Sequence, residues 1–390
     1  MPEYTRDEIF MQRCLDLASL GAGEVAPNPM VGAVLVYDNK IIGEGFHQYF
    51  GGAHAEVNAI NHVISTELLG KSTLYVNLEP CSHQGKTPPC ANLIIDKRIP
   101  RVIIGTTDPN KLVSGRGISL LKNNSVKVIT GVLENKCKTL NKRFFSWHQN
   151  KRPYIILKWA RSADGFIDYD RPADAPIGPN WITSRTARIL VHKWRAMEQA
   201  ILVGTRTVIK DDPGLNVRDW SGKDPLRVII DRKMILGEHL RVFDNRQNSL
   251  VFTDKNLHVT KNPFSGGKNT YTGMGASDKR IKNPDPQLPR AITEDKLSSG
   301  GRTRYAGIVF DDSAEIQMLD ILYRENIQSV IIEGGAFTLN RFIEKGLWDE
   351  ARIFTGPVLF KRGIRSPAIT GNSIFSREIG NSLLQVIHND

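Results

Sequence analysis

The chain has 390 residues, 40% of them hydrophobic and 24% charged, the profile of a globular protein too long for a single hydrophobic core. No apolar run approaches the roughly 18 residues of a membrane span, the first nine residues are acidic and polar rather than leader-like, and four cysteines in such a length exclude a disulfide framework. A formal charge of +11 raises nucleic acid as a partner, but ten Lys/Arg against five Asp/Glu fall between Asp254 and Arg304, so +5 of it lies in one stretch. That stretch, about 256–304, is rich in Gly, Pro, Asn and Ser and reads as a solvated insertion. The remaining charge suits an enzyme whose ligands carry phosphates, and the expected compartment is the cytoplasm.

Within 5–20, Ile9, Phe10, Cys14, Leu17 and Ala18 recur at helical spacing, and Gly21 ends the pattern. Asn28-Pro29 turns into a β-rich run over 31–37. Asp38-Asn39 turns that run into 40–46, which reads as a hairpin. A helix is expected to begin near His54, to bury Val57, Ile60 and Ile64, and to carry His54 and Glu56 in its first turn. Residues 73–78 form a strand that delivers Cys81 at its carboxyl end. Cys90 opens a helix containing Leu93, Ile94 and Lys97, and 101–106 is another strand. Cys14 and Cys137 read as packed core residues.

The polar, basic stretch 141–152 precedes Pro153 and marks the expected domain boundary, giving domains of 1–149 and 150–390. Beyond it come a strand over 154–160, a helix over 184–197, and strands over 200–203, 226–231 and 249–253. After the insertion follow a helix over 314–325, a strand over 329–333, and a helix after Gly334-Gly335. Strands alternating with helices predict an α/β class for both halves, with sites at strand ends and helix starts.

The chemistry concentrates in His54-Ala55-Glu56, Pro80-Cys81 and Pro89-Cys90. One imidazole and two thiolates leave the fourth position of a tetrahedral zinc open, the arrangement of a catalytic site. Zinc lowers the pKa of bound water from about 15.7 to about 7. Glu56, two residues from the first ligand, can then shuttle protons, as in zinc deaminases of nucleobases. A thiol at a helix amino terminus, as at Cys90, has its thiolate favoured by the dipole. No CxxC pair is present to build a four-ligand structural site. In the second half, Gly334-Gly335 between a strand and a helix lets backbone amides approach a phosphate. Arg195 and Arg218 are candidate guanidinium forks for phosphate oxygens. Lys158 and Glu333 fall in strands, where an unpaired charge is expensive, and so favour a site.

Over nearly its whole length the chain resembles the bifunctional riboflavin-biosynthesis deaminase/reductases. The residues that carry this are Pro27-Asn28-Pro29-Met30-Val31-Gly32, His47, and the run from Glu79 through Cys90. Asp108-Pro109-Asn110, Trp181-Ile182-Thr183, Asp211-Asp212-Pro213 and Glu333-Gly334-Gly335-Ala336 add to it. The long cysteine spacing differs from the CxxC of cytidine, adenosine and tRNA deaminases. The resemblance implies a cytidine-deaminase-like α/β/α domain followed by a domain similar to dihydrofolate reductase. It implies zinc on His54, Cys81 and Cys90, Glu56 as proton shuttle, and Asn28, His47 and Lys86 around the first substrate. In the second domain it implies that Lys158, Arg195, Leu215, Arg218 and Glu333 contact the ribosyl substrate. Ala160, Trp181, Thr207, Asp211, Gly335 and Ala336 would contact NADPH. A small phosphorylated pyrimidine, no nucleic acid, no membrane and self-association complete the implied partners. Two positions depart from the pattern: Pro179 stands where the family offers a serine to the substrate, and Ala163 replaces a leucine. A tRNA or single-stranded DNA deaminase would also explain the zinc motif, but leaves about 240 carboxyl-terminal residues unused.

Overall fold

The structure is a computed structural model and describes residues 4–82, 88–110, 113–256 and 303–389. These divide into two compact units, Met1–Tyr154 with Leu322–Ser329, and Ile155–Ile321 with Val330–Asp390.

The first unit begins with α1 (Arg6–Ser19), whose Thr5 and Glu8 close a reciprocal capping box. The hairpin follows as β1 (Gly32–Tyr37) and β2 (Lys40–Phe46), joined through Asp38 and Asn39 at φ 48° and 59°. Two successive left-handed residues give the tight turn that matches strand twist, which is why Asp-Asn stands there. Then come α2 (Ala55–Asn61), β3 (Thr73–Leu78), α3 (Cys90–Asp96), β4 (Arg101–Thr106), α4 (Arg116–Asn123), β5 (Lys127–Thr130), α5 (Glu134–Leu140) and α6 (Lys142–Asn150). The sheet order is β2-β1-β3-β4-β5, antiparallel through β3 and parallel from β3 to β5.

Alternate strand residues feed two cores, as the period of two requires. Ala33, Leu35, Leu74, Val76, Val102 and Ile104 pack with Ile60, Ile94 and Leu121. Val34, Val36, Tyr75 and Ile103 pack with Met11, Cys14, Leu15 and Cys137. Helices therefore cover both faces, and Cys14 and Cys137 are core residues as expected.

One expectation needs correction, and α6 has no counterpart among the elements read from the sequence. The helix after His54 ends at Asn61, and Ile64 lies beyond it at 97% exposure. The polar stretch 141–152, just ahead of the division at Tyr154, contains α6, whose Phe144 and Phe145 are buried.

The second unit contains β6 (Tyr154–Arg161), β7 (Phe166–Tyr169), α7 (Arg185–Met197), β8 (Ala200–Gly204), α8 (Thr205–Asp211), β9 (Leu226–Ile230) and β10 (Ser249–Asp254). It continues with β11 (Thr303–Ile308), α9 (Ala314–Arg324), β12 (Ser329–Glu333), α10 (Ala336–Glu344), β13 (Glu350–Thr355), β14 (Gly363–Arg365), β15 (Asn372–Ile379) and β16 (Ser382–His388). Nine strands form one sheet, ordered β11-β10-β9-β8-β12-β6-β13-β16-β15, with the last two antiparallel. Ser184 caps α7 by accepting from Ala187 N–H. Ile201, Val203, Ile229 and Val251 pack with Val208 and Leu215 in one core, and Phe354, Leu384 and Val386 with Ala187 and Val191 in another. Thr303 and Arg304 belong to β11, paired with Ser249 and Leu250, so the insertion ends before them; residues 257–302 lie outside the described residues.

Candidate active sites

The carboxyl end of β3 and the starts of α2 and α3 meet around His54, Cys81 and Cys90. Their ligand atoms all lie within 4.8 Å of one another. His54 Nδ1 is 3.6 Å from Cys81 Sγ and 3.3 Å from Cys90 Sγ. A tetrahedral zinc with bonds of about 2.0–2.3 Å sets nitrogen and sulfur about 3.5 Å apart. The donor set therefore fits zinc in both chemistry and spacing. The Cys90 thiol, with His54 and the Cys90 amide assisting, brings Cys81 down to about 4 against the effect of burial. The pair thus favours a thiolate at neutral pH. Glu56 sits one residue inside α2 at 3% exposure, and burial, then the Cys81 charge, raises its proton affinity. His54 itself is the residue before the helix, not a member of its first turn.

Asn28 and His47 are adjacent: Asn28 Nδ2 is 3.0 Å from His47 Nε2, and His47 Nδ1 is 3.0 Å from the Ala53 carbonyl. A proton on Nδ1 satisfies both contacts, since Nε2 then accepts from the amide. Burial lowers the His47 pKa and keeps the ring neutral. The His47 and His54 rings lie 5.7 Å apart, edge to face, so this pair borders the triad. Lys86 lies outside the described residues.

Asn141 clamps the Asn28 loop, accepting from Met30 N–H at 2.8 Å and donating to Met30 O at 2.9 Å. Asn77 adds bonds to Met30 O and from Gly32 N–H. Sequence reading gave neither asparagine a role. The partners are backbone groups far away in sequence, and no residue pattern announces them.

In the second unit, the middle of β6, the end of β12 and one face of α7 bring Lys158, Glu333 and Arg195 together. Arg195 closes its fork on Glu333, Nε to Oε1 at 3.1 Å and Nη2 to Oε2 at 2.7 Å, and its Nη1 donates to Asn216 O at 3.2 Å. Lys158 Nζ stands 3.8 Å from Glu333 Oε2. Burial raises the Glu333 carboxyl, but Arg195 and Lys158 outweigh it and bring it to about 2. Burial lowers Lys158, opposed by Glu333. Arg218 N–H donates to His192 Nδ1 at 3.2 Å, and Arg218 Nη1 lies 3.5 Å from Asn216 Oδ1. Leu215 is buried in the core beside this loop, so it is the loop's backbone that faces the cluster. His192 and Asn216 were given no role by sequence reading; the signal for His192 was its place three residues before Arg195.

Parallel neighbours β8 and β12 end side by side, and each runs into a helix through a glycine, Gly204 and Gly335. Neither glycine can cap its helix with a side chain, which leaves the first amides of α10 without a cap from that residue. Gly335 N–H donates to Thr207 Oγ1 at 3.1 Å. A β-carbon on Gly204 would stand 2.8 Å from Thr338 Oγ1. This fits the phosphates of a dinucleotide at the carboxyl ends of parallel strands. Ala336 opens α10 next to them. Ala160 is part of β6, and Asp211 ends α8, paired with Arg171 at 2.7 Å. Trp181 is 51% exposed, with the Arg188 guanidinium 4.1 Å above its ring. Pro179 lies between Gly178, whose carbonyl accepts from Arg171, and Asn180, which donates to Asp168.

Comparisons with known proteins agree with both halves. Residues 4–106 match the zinc-binding region of cytidine and deoxycytidylate deaminases, and residues 153–263 and 277–374 match the RibD C-terminal domain. The riboflavin biosynthesis protein RibD of Bacillus amyloliquefaciens is 35% identical over 95% of this chain and 90% of its own. That of Escherichia coli is 33% identical over 91% and 88%. Among solved structures, the diaminohydroxyphosphoribosylaminopyrimidine deaminase/5-amino-6-(5-phosphoribosylamino)uracil reductase of Thermotoga maritima is 34% identical, with a TM-score of 0.78 over 99% of each chain. Acinetobacter baumannii RibD is 28% identical, again at 0.78 over 99% of each.

Proposed function

The chain belongs to the bifunctional deaminase/reductase family of riboflavin biosynthesis, and on that premise we propose a residue-level account of its two reactions. The protein is a zinc-dependent deaminase and an NADPH-dependent reductase in one chain. It removes an amino group from 2,5-diamino-6-(ribosylamino)pyrimidin-4-one 5′-phosphate and then reduces the ribosyl group to ribityl.

The observation that carries the first reaction is a buried carboxylate beside three convergent soft ligands. His54, Cys81 and Cys90 would hold zinc, which would supply the Lewis acidity that makes water nucleophilic near neutral pH. Glu56 takes one proton from the water and passes it to the ring nitrogen, then takes the second from the hydroxyl added at C2 and gives it to the amino group leaving that carbon. Water is added and ammonia lost. The raised proton affinity of Glu56 suits a group that must both accept and return a proton. Asn28, oriented by His47, reads the pyrimidine edge, and the family resemblance assigns Lys86 to the phosphate.

For the second reaction, the strand ends of β8 and β12 would hold NADPH, which would supply the hydride that C1′ accepts. As the sugar opens, its ring oxygen needs a proton, and Lys158 is the ionisable donor; burial has already loosened its hold on that proton. Arg195 keeps Glu333 ionised beside it, and Arg218 meets the phosphate. The amides at the start of α10, with Thr207, Asp211, Trp181 and Ala160, receive the cofactor. Catalysis rests mainly on holding the nicotinamide against C1′. The kinship further supports a self-associating cytoplasmic enzyme that takes a small phosphorylated pyrimidine rather than nucleic acid.

Replacing Glu56 by Gln tests the first assignment. Zinc content should stay at the wild-type level while ammonia release falls about 10²–10⁴-fold, the usual worth of a positioned acid–base group. Oxidation of NADPH with the already deaminated pyrimidine should be unaffected. Wild-type ammonia release from a zinc-loaded Glu56→Gln protein would overturn the role.

A further inference from the structure

The inference that follows rests on the reading of Arg218 as a ligand of the substrate phosphate. Arg218 ends the loop 212–218, in which Asp212 and Leu215 adopt left-handed backbone at φ 37° and 53°. Non-glycine residues are strained there and persist only where surrounding contacts fix them. The contacts are present. Arg227 Nε donates to Gly214 O at 3.0 Å, Arg195 Nη1 to Asn216 O at 3.2 Å, and Asp224 Oδ1 accepts from Val217 N–H at 2.6 Å. The last contact before the Arg218 side chain is His192 Nδ1, which accepts from Arg218 N–H at 3.2 Å.

His192 and Arg195 are three residues apart and share one face of α7. That face therefore holds the Glu333 carboxylate through one residue and the Arg218 amide through the other. His192 is only 3% exposed. With Nδ1 accepting, the ring proton belongs on Nε2, which faces Asp219 Oδ2 at 3.5 Å. Burial, with Arg195 and Arg218 alongside, brings the imidazole down to about 4. The ring stays neutral at physiological pH and remains an acceptor. The Arg218 guanidinium is held only loosely by its own side-chain contact, Nη1 to Asn216 Oδ1 at 3.5 Å, so its placement depends on the backbone beneath it.

We propose that His192 is a positioning residue for the reductase: by holding the Arg218 amide through Nδ1, it sets the guanidinium where the substrate's phosphate binds. It touches neither substrate nor cofactor, so its effect should appear in substrate affinity and pass through Arg218.

The test is steady-state NADPH oxidation by the full chain with the deaminated ribosylaminopyrimidine phosphate. The variants are His192→Leu, His192→Asn, Arg218→Ala and the His192→Leu/Arg218→Ala pair. Inorganic phosphate serves as a competitive probe. His192→Leu should raise KM for the ribosyl phosphate and the inhibition constant of phosphate together, each about tenfold, while kcat and the KM for NADPH stay within about twofold. His192→Asn places a carbonyl acceptor near the Nδ1 position and should recover affinity to within about threefold of wild type. The double variant should be no weaker than Arg218→Ala alone, because two residues acting through one contact are not additive. An unchanged KM in His192→Leu, a loss of kcat that Asn does not rescue, or full additivity with Arg218→Ala would each overturn the proposal. Failure of the wild type to oxidise NADPH with this substrate would sink the functional reading instead.

Discussion

Glu79 lies two residues before Cys81 and contacts none of the metal ligands, yet it is among the most heavily bonded side chains of its unit. Its carboxylate accepts from the backbone N–H groups of Asp108 and Gly115 at 3.3 and 3.0 Å, and of Gly117 and Ile118 at 3.0 and 3.2 Å. It thereby ties the start of α4 to the strand end that delivers Cys81. The approach is close enough that a β-carbon on Gly117 would lie 2.1 Å from Pro80 O. Glu79→Ala would leave these amides without their acceptor, and the deaminase unit should lose about 2–4 kcal/mol. Calorimetry should show its transition lowered and that of the reductase unit unmoved; equal shifts in both, or none, would contradict the role. The run from Glu79 to Cys90 was legible as a motif, but the work of Glu79 was not. Its partners are backbone amides some thirty to forty residues away, and only the pairing of β3 with β4 brings them near. The same holds for Arg195: its residue type suggested a phosphate fork, while the fold spends that fork on Glu333.

Elements were legible where apolar periodicity ran uninterrupted. The hairpin, the strands ahead of Cys81 and Glu333, and the helix capped by Ser184 stand within a residue or two of where the sequence puts them. One failure comes from polar residues masking a short apolar pattern. In α6 the lysine, arginine, histidine and asparagine read only as a polar run ahead of the domain boundary, but Phe144 and Phe145 turn inward and Asn141, just before the helix, holds the Asn28 loop. At the other extreme, Ile64 extended a pattern that the chain had already left at His62. Phe145→Ala should therefore behave as a core truncation, costing the deaminase unit about 3–5 kcal/mol. A loss below about 1 kcal/mol, the range of ordinary surface changes, would contradict a core role for the segment.

At the scale of the whole chain, the groups proposed for the two reactions fall in different compact units. The zinc triad, Glu56, Asn28 and His47 all belong to the first unit, while Lys158, Glu333, Arg195, Arg218 and the α10 start belong to the second. Stripping zinc with a chelator should abolish ammonia release and leave NADPH oxidation intact when the deaminated pyrimidine is supplied directly. A parallel loss of both activities would show that the reductase depends on the metal, which this division of residues does not provide for. The central claim, that one chain performs both steps in order, is tested most directly by following ammonia release and NADPH oxidation together from the diaminopyrimidinone ribosyl phosphate. The account predicts ammonia first, then NADPH consumed in equal amount, with the oxidation absent until ammonia has appeared. Zinc-loaded protein that yields neither signal, or that oxidises NADPH without releasing ammonia, would contradict it.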